Sequence, residues 1–109
     1  MYNVIVAGST DFTTDCILQL MKMDNVNISS VIAPIDSKKD RNNIKLFKPE
    51  NINGEDFNKT LSDLKPDFLI VVAYGKILSK KTLAIPKIMP INIHGSLLPI
   101  LRGASPVEH

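Results

Sequence analysis

The sequence predicts an α/β fold, an open and mostly parallel β-sheet with flanking helices. Three runs of residues, 2–7, 28–35 and 67–73, are rich in β-branched side chains and nearly continuous in apolar character, as strands are when both faces of a sheet are covered. A weaker fourth run follows at 88–94, and amphipathic helical patterns lie between the runs. Strands and helices in this order are typical of a doubly wound sheet.

Three helices are predicted between these strands. The first follows Gly8, where residues 9–11 offer N-cap oxygens; its apolar stripe is expected to consist of Thr14, Ile17, Leu18 and Met21, at i, i+3, i+4 and i+7. Asn53 is expected to cap the second helix, which presents Phe57, Leu61 and Leu64 and ends before Pro66. The third is short, begins at Ser79 and ends before Pro86.

One connection is shorter than this fold requires. About nine residues separate Ile35 from a possible short strand at 45–47, whereas a parallel crossover normally needs a dozen or more. Either residues 45–47 do not form a parallel strand, or a loop and helix have been lost from this part of the chain.

Length and composition limit the possible functions. A chain of 109 residues, 44% of them apolar, has the size of a single domain, predicted to span 1–109. The one cysteine, Cys16, cannot form an intrachain disulfide, and no Cys/His cluster has zinc-site spacing, so we expect no metal. No apolar run is long enough to span a bilayer or resembles a signal peptide, which predicts a cytoplasmic protein without membrane contact.

Basic residues are concentrated in residues 36–50, although the net charge is only +2. This stretch contains Lys38, Lys39, Arg41, Lys45 and Lys48. It could contact a phosphate backbone, but such a run is more often a solvated loop.

The carboxyl ends of the predicted strands locate a candidate site, because ligands of doubly wound sheets bind there. It would be built from residues 8–11, from residues 73–78 and from Asn92 onward. Gly8 is the only glycine in "AGSTDF", so the Gly-rich pattern of a dinucleotide site is missing and NAD is disfavoured. Gly8 either makes a tight strand-to-helix turn or forms a wall of a small-ligand pocket.

Two further segments carry candidate site residues. In "VVAYGKIL", residues 71–78, the apolar side chains either line a flat slot for an aromatic ring or only pack in the core. In "NIH", Asn92 and His94 are two apart and so share a strand face. An amide and an imidazole can stabilise an oxyanion and move a proton, as acyl or formyl transfer needs; a lone strand histidine is otherwise usually structural.

The combination of "VVAYGKIL" with "INIHGSLLPILRGASP", residues 91–106, closely resembles the N-terminal domain of the methionyl-tRNA formyltransferase family, within the 10-formyltetrahydrofolate-dependent formyltransferases and hydrolases. "VAGSTDF" resembles the opening loop of that family. The resemblance covers residues 4–107 apart from 36–53, and it implies a Rossmann-like sheet. It also implies transfer of a formyl group from 10-formyltetrahydrofolate, the co-substrate, to the amino group of methionyl initiator tRNA, a partner in translation initiation.

The resemblance also implies roles for individual residues. Asn92 would stabilise the oxyanion and His94 would carry the proton. The residues expected to bind the folate are Ser96, Leu97, Leu98 and Pro99 in the loop, with Tyr74, Gly75, Ile77 and Leu78 flanking the pterin. The loop at 9–11 and the basic residues 38–41 would lie toward the tRNA. Apolar side chains in a loop are reasonable if a flat organic molecule covers them.

Three departures from the family pattern accompany the resemblance. Ile100 and Leu101 stand where relatives have Arg or a similar residue and then an aromatic, and the loop and helix between the second and third strands are largely missing. The catalytic aspartate of the family comes a few tens of residues after N-x-H, so the 109-residue chain is expected to be an incomplete domain with little activity of its own. Two alternatives stay open: a formyltransferase for amino sugars or other small amines, and a non-enzymatic folate-binding remnant.

Overall fold

The computed structural model describes residues 1–8, 10–33 and 44–93 of the chain. The described elements are, in order, β1 (Tyr2–Ala7), α1 (Asp11–Met21), β2 (Val26–Ile32), β3 (Lys45–Phe47), α2 (Glu55–Asp63), β4 (Phe68–Val72), α3 (Lys80–Leu83) and β5 (Met89–Ile93). All four strands predicted from the apolar runs are confirmed, and β1 has the predicted bounds. The predicted α/β fold class is therefore confirmed.

The strands form one parallel sheet in the order β3-β2-β1-β4-β5. The chain builds outward from β1 toward β3, then returns to the other side of β1 and continues through β4 to β5. The strand order therefore reverses between β1 and β4, which is the place where open α/β sheets form their ligand crevices. This is the Rossmann-like arrangement that the resemblance implied.

The short segment Lys45–Phe47 is a parallel strand, paired with β2 through Ser30 opposite Lys45 and Ile32 opposite Phe47. The first explanation of the short connection, that this segment is not a parallel strand, is therefore wrong. The aromatic ring of Phe47 also packs edge-to-face on Phe57 of α2, with ring centroids 5.6 Å apart. This contact attaches the edge strand to the helix layer.

The two faces of the sheet carry separate apolar clusters, because successive residues of a strand point to opposite sides. On one side, which we call the α2 face, α2 packs on the sheet through Leu61; the buried strand residues there are Ile5, Ala7, Ile32, Leu69 and Val71. On the other side, the α1 face, α1 packs through Ile17; the buried strand residues are Val4, Val6, Val31, Ile70 and Val72. The predicted stripe of α2 is confirmed, since Phe57 and Leu64 pack beside Leu61.

The predicted stripe of α1 is wrong by one position. Leu18 and Met21 are 52% and 60% exposed, whereas Thr13 and Ile17 are buried. Phe12, Cys16 and Leu20 pack against the same cluster as Ile17. The core face of α1 therefore begins at Thr13 and continues at Cys16, Ile17 and Leu20. A polar residue can occupy the first position because the Thr13 hydroxyl donates a hydrogen bond to the carbonyl oxygen of Val72, at 2.8 Å.

The start of α1 explains why Thr13 is placed there. Thr10 is the N-cap; its hydroxyl accepts a hydrogen bond from the backbone N–H of Thr13, at 3.2 Å, and the Thr13 hydroxyl accepts one from the N–H of Thr10, at 3.3 Å. This reciprocal capping box fixes the first turn of the helix. The N-cap predicted among residues 9–11 is therefore confirmed as Thr10.

Candidate functional site

A cleft of about 510 Å³ opens at the carboxyl ends of β4 and β5, on the side of the sheet where α3 lies. Its lining is mostly apolar and comes from the segment after β4, from α3 and from β5. The lining residues are Val71, Ala73, Tyr74, Gly75, Lys76, Ile77, Leu78, Leu83, Pro90, Ile91 and Asn92. Two of the three predicted segments, residues 73–78 and the strand that carries Asn92, thus meet in one cleft.

The segment after β4 turns sharply to make one wall of the cleft. Ala73 has φ of 50° and Gly75 has φ of 85°, so the backbone enters the left-handed region twice within three residues. Gly75 suits this conformation because it has no Cβ, whereas Ala73 adopts it at a cost of about 1–2 kcal/mol. The turn places Tyr74, which is 5% exposed, in the core of the α2 face. The pKa of Tyr74 is raised because burial disfavours the charged phenolate.

Beyond Tyr74 the wall presents two apolar side chains, those of Ile77 and Leu78. Ile77 is 90% exposed, although it lines the cleft. Leu78 is half-buried and packs against the cluster of the α2 face. An exposed isoleucine beside a cleft offers apolar surface that a bound molecule could cover. The predicted slot lined by Tyr74, Gly75, Ile77 and Leu78 is therefore present as a cleft, and its occupant stays a prediction.

Asn92 lies on β5 opposite Val71 of β4. Its strand neighbours Ile91 and Ile93 pack in the cluster of the α1 face, so the alternation of the strand directs Asn92 to the α2 face, where Val71 and the wall of the cleft also lie. Asn92 is exposed and lines the cleft. The structure thus brings the amide of Asn92 together with the wall formed by residues 73–78.

Several predicted site residues lie outside the described residues. These are His94, which was expected to share the strand face of Asn92, and Ser96, Leu97, Leu98 and Pro99 of the predicted folate loop. Ser9 and the basic residues 38–41 also lie outside them. The roles of all these residues stay predictions.

Gly8 is a packing position and does not line the cleft. A Cβ atom at Gly8 would collide with the carbonyl oxygen of Val72 and come within 2.5 Å of the Thr13 hydroxyl oxygen. Its own N–H donates to the carbonyl oxygen of Ile32, at 2.8 Å. The structure therefore supports the interpretation of Gly8 as a tight strand-to-helix turn. It does not support a role for Gly8 as a wall of this cleft.

Asn53 does not cap α2, contrary to the prediction. The N-cap is Gly54, and no side chain caps the helix there. The side chain of Asn53 turns instead toward the wall of the cleft: its amide nitrogen donates to the carbonyl oxygen of Ile77, at 3.0 Å, and its amide oxygen accepts from the N–H of Ser79, at 2.7 Å. Local capping rules could not anticipate these bonds, because the partners are 24 and 26 residues away. Ser79 caps α3 as predicted, accepting a hydrogen bond from the N–H of Thr82.

The α1 face carries a second cavity, of about 500 Å³, with an apolar lining between α1 and the β4–β5 edge. Cys16 lies in this lining, and its pKa is raised by burial and, to a lesser extent, by the neighbouring charge of Asp15. The thiol is therefore mostly protonated at neutral pH, the less reactive form. Among residues 1–8, 10–33 and 44–93, no group of three His, Cys, Asp or Glu side chains could hold a metal ion. None of the helices described is long and apolar enough to cross a membrane.

Comparison with known proteins identifies a family. The family model described as "Formyl transferase" matches residues 2–109. Curated relatives named methionyl-tRNA formyltransferase include those of Halothermothrix orenii, 36% identical over 97% of this chain and 38% of the relative, and of Finegoldia magna, 35% identical over 97% of this chain and 39% of the relative. The protein of that name from Methylacidiphilum infernorum is 50% identical over 70% of this chain and 24% of its own length.

The relatives are longer than this chain, which spans about two fifths of the length of the first two. The match to the Halothermothrix orenii protein extends over 121 residues, against 109 in the whole chain, so that protein has at least about twelve residues in the matched part that this chain lacks. That these fall between β2 and β3 stays a prediction. The match to the family model over nearly every residue, the parallel sheet and the two motifs agree, and the chain belongs to the formyl transferase family.

Proposed function

We propose that the cleft at the ends of β4 and β5 binds 10-formyltetrahydrofolate and that the protein transfers its formyl group to methionyl initiator tRNA. The observation that carries this proposal is the placement of Asn92: an exposed amide on a strand opposite an apolar wall, in one cleft. A transferase for this co-substrate needs an apolar surface for a flat ring and a polar group beside it where the reacting carbonyl lies.

The size and the lining of the cleft suit a folate. Its volume of about 510 Å³ lies within the usual range for small-molecule sites, about 300–1,000 Å³. Ile77, Leu78 and Leu83 supply apolar surface for a pterin ring, and Lys76 is an exposed positive charge that suits a carboxylate of the folate tail. These features support the choice of a folate over a nucleotide, for which the loop after β1 has too few glycines.

In the proposed reaction, the amino nitrogen of methionyl-tRNA attacks the formyl carbon. A new carbon–nitrogen bond forms, the bond between that carbon and N10 of the folate breaks, the amine loses a proton and N10 gains one. The products are formylmethionyl-tRNA and tetrahydrofolate. The amide of Asn92 would donate a hydrogen bond to the oxygen as it becomes negative, and His94 would carry the proton.

The identity of the molecule that accepts the formyl group is a separate part of the proposal. The relatives that support it are named methionyl-tRNA formyltransferases. The loop around Thr10 and the basic residues 38–41 are expected to lie toward the tRNA. Translation takes place in the cytoplasm, which is the location we propose. The rivals are transfer to an amino sugar or another small amine, and folate binding without transfer.

The test is formylation of methionyl-tRNA by the full-length protein and by its Asn92→Ala variant, with Asn27→Ala as the matched control. Asn27 is an exposed asparagine near the amino end of β2, far from the cleft, and its side-chain amide donates a hydrogen bond to the side-chain oxygen of Asn3. We expect Asn92→Ala to lower kcat by about 10²–10³, the usual cost of losing an oxyanion donor, and Asn27→Ala to have no effect. Equal rates for Asn92→Ala and the parent would reject the assignment.

A parallel assay with small amine acceptors separates the rivals. Formylation of an amino sugar but not of methionyl-tRNA would favour the first rival. Folate binding without transfer to any acceptor, in the full-length protein, would favour the second.

A further inference from the structure

We propose that Asn53 is a positioning residue for the ligand cleft: its side chain fixes the wall formed by residues 74–79 and thereby sets the affinity for the folate, without touching it. This inference rests on the proposed function for the identity of the ligand. Asn53 itself lies outside the cleft lining, on the loop between β3 and α2.

The bonds of Asn53 reach three points of the segment opposite. The amide nitrogen donates to the Ile77 carbonyl oxygen, at 3.0 Å; the amide oxygen accepts from the N–H of Ser79, at 2.7 Å, and from the hydroxyl of Thr82, at 3.1 Å. Three of the four hydrogen bonds available to an asparagine side chain are thus directed at one short stretch of chain. The backbone of Asn53 is held in turn, because its N–H donates to the side-chain oxygen of Asn51, at 3.0 Å.

Apart from Asn53, the far end of the segment is held by Leu78, which packs against the cluster of the α2 face, and by Ser79, which caps α3. The segment contains neither helix nor strand between β4 and α3. Tyr74 anchors its beginning in the core, but Ile77 is 90% exposed and gains almost nothing from packing. The position of Ile77 therefore depends on its carbonyl being bonded, and the side chain of the same residue lines the cleft. Such a loop belongs to the parts of a protein that open most readily.

Ordering the wall in advance raises affinity because the ligand does not then have to order it. If the Asn53 side chain is removed, the wall samples other positions, and binding must restore the one that contacts the ring. The expected result is weaker binding with only a small loss of stability, since the freed Ile77 carbonyl is exposed and water can replace the amide.

The test compares Asn53→Ala and Asn53→Asp with the parent chain. The aspartate keeps an oxygen to accept from Ser79 and Thr82 but cannot donate to the Ile77 carbonyl. Controls are Asn27→Ala, the exposed asparagine at the other end of the sheet, and Ile17→Val, which lowers stability through the α1 face. Two quantities are measured: hydrogen exchange of the Ser79 amide, and the Kd for 5-formyltetrahydrofolate, a stable isomer of the co-substrate, by calorimetry.

For Asn53→Ala we expect exchange at Ser79 and the Kd each to rise about tenfold, as loss of one to two net hydrogen bonds would produce. For Asn53→Asp we expect Ser79 to stay protected and the Kd to rise by about threefold to tenfold, through loss of the Ile77 bond. The two controls should leave the Kd within about twofold of the parent, although Ile17→Val is less stable.

Two results would overturn the inference: unchanged exchange at Ser79 in Asn53→Ala, or a Kd equal to that of the parent in spite of faster exchange. Failure of the parent chain to bind the folate isomer at all is a different result. It counts against the proposed function, and the exchange data still decide whether Asn53 holds the wall.

Discussion

Gly8→Ala tests how closely the strand ends pack at the point where the strand order reverses. Gly8 directly follows β1, and a Cβ atom there would collide with the backbone oxygen of Val72 and approach the Thr13 hydroxyl oxygen to 2.5 Å. Ordinary contacts of a Cβ begin near 3.4 Å. The ends of β1 and β4 must therefore separate, or α1 must shift.

The expected loss of stability follows from the hydrogen bonds that this movement would break. Val72 accepts the buried hydrogen bond of Thr13, at 2.8 Å, and Gly8 donates to Ile32, at 2.8 Å. Overpacking costs about 1–3 kcal/mol and a buried hydrogen-bonding group left without a partner costs about 1–3 kcal/mol, so we expect a loss of about 2–6 kcal/mol in the free energy of unfolding. That is a large part of the stability of a small domain.

Gly75→Ala is the matched control, because an alanine there strains the backbone conformation but does not collide with other atoms. Gly75 has φ of 85°, and no heavy atom lies within 4 Å of the Cβ position. We expect a loss of about 1–2 kcal/mol from the left-handed backbone. The assay is urea unfolding followed by far-UV circular dichroism at neutral pH. Equal losses for the two variants, or a loss below about 1 kcal/mol for Gly8→Ala, would refute the reasoning.

Two more predictions concern the core and its pH dependence. Leu61→Ala should lower the free energy of unfolding by about 2–5 kcal/mol, because Leu61 of α2 is 1% exposed. Leu18→Ala, at a 52% exposed position of α1, should change it by less than about 0.5 kcal/mol. Similar urea midpoints for the two variants would contradict the assignment of Leu18 to the outer face of α1. The pKa of Tyr74 is raised by burial, so its contribution to stability should be complete below pH 10.0, the ordinary tyrosine value, and be lost as the pH rises through the raised pKa. Urea midpoints between about pH 9 and 11.5 should fall more steeply for the parent than for Tyr74→Phe, and parallel slopes would contradict this.

The fold could be predicted from the sequence because its strongest signals are local and repeated. The runs of β1 and β4 have apolar side chains on both faces of the strand. Both faces must therefore be buried, as they are in a parallel sheet covered by helices. Ser79 as the cap of α3 and Leu61 as the centre of the α2 stripe follow from the same short-range rules. The position of the cleft, at the carboxyl ends of β4 and β5, was predictable from the parallel order of the strands.

The rest depended on contacts between distant parts of the chain. The helical spacing placed Thr14 in the stripe of α1 instead of Thr13, whose burial is acceptable because its hydroxyl donates a hydrogen bond to Val72, 59 residues away. Asparagine is a common helix N-cap, but the side chain of Asn53 is instead hydrogen-bonded to the carbonyl oxygen of Ile77. The left-handed conformation of Ala73 has no sequence signal, since alanine rarely adopts it.

Methyl NMR of the isotopically labelled chain during titration with 5-formyltetrahydrofolate tests the central claim, that the cleft beside Asn92 is the folate site. We expect the methyl resonances of Ile77, Leu78 and Leu83, which line the cleft, to shift, and that of Leu18, on the outside of α1, to stay in place. Shifts confined to Leu20 and the cavity of the α1 face, or no shifts at saturating folate, would contradict the account.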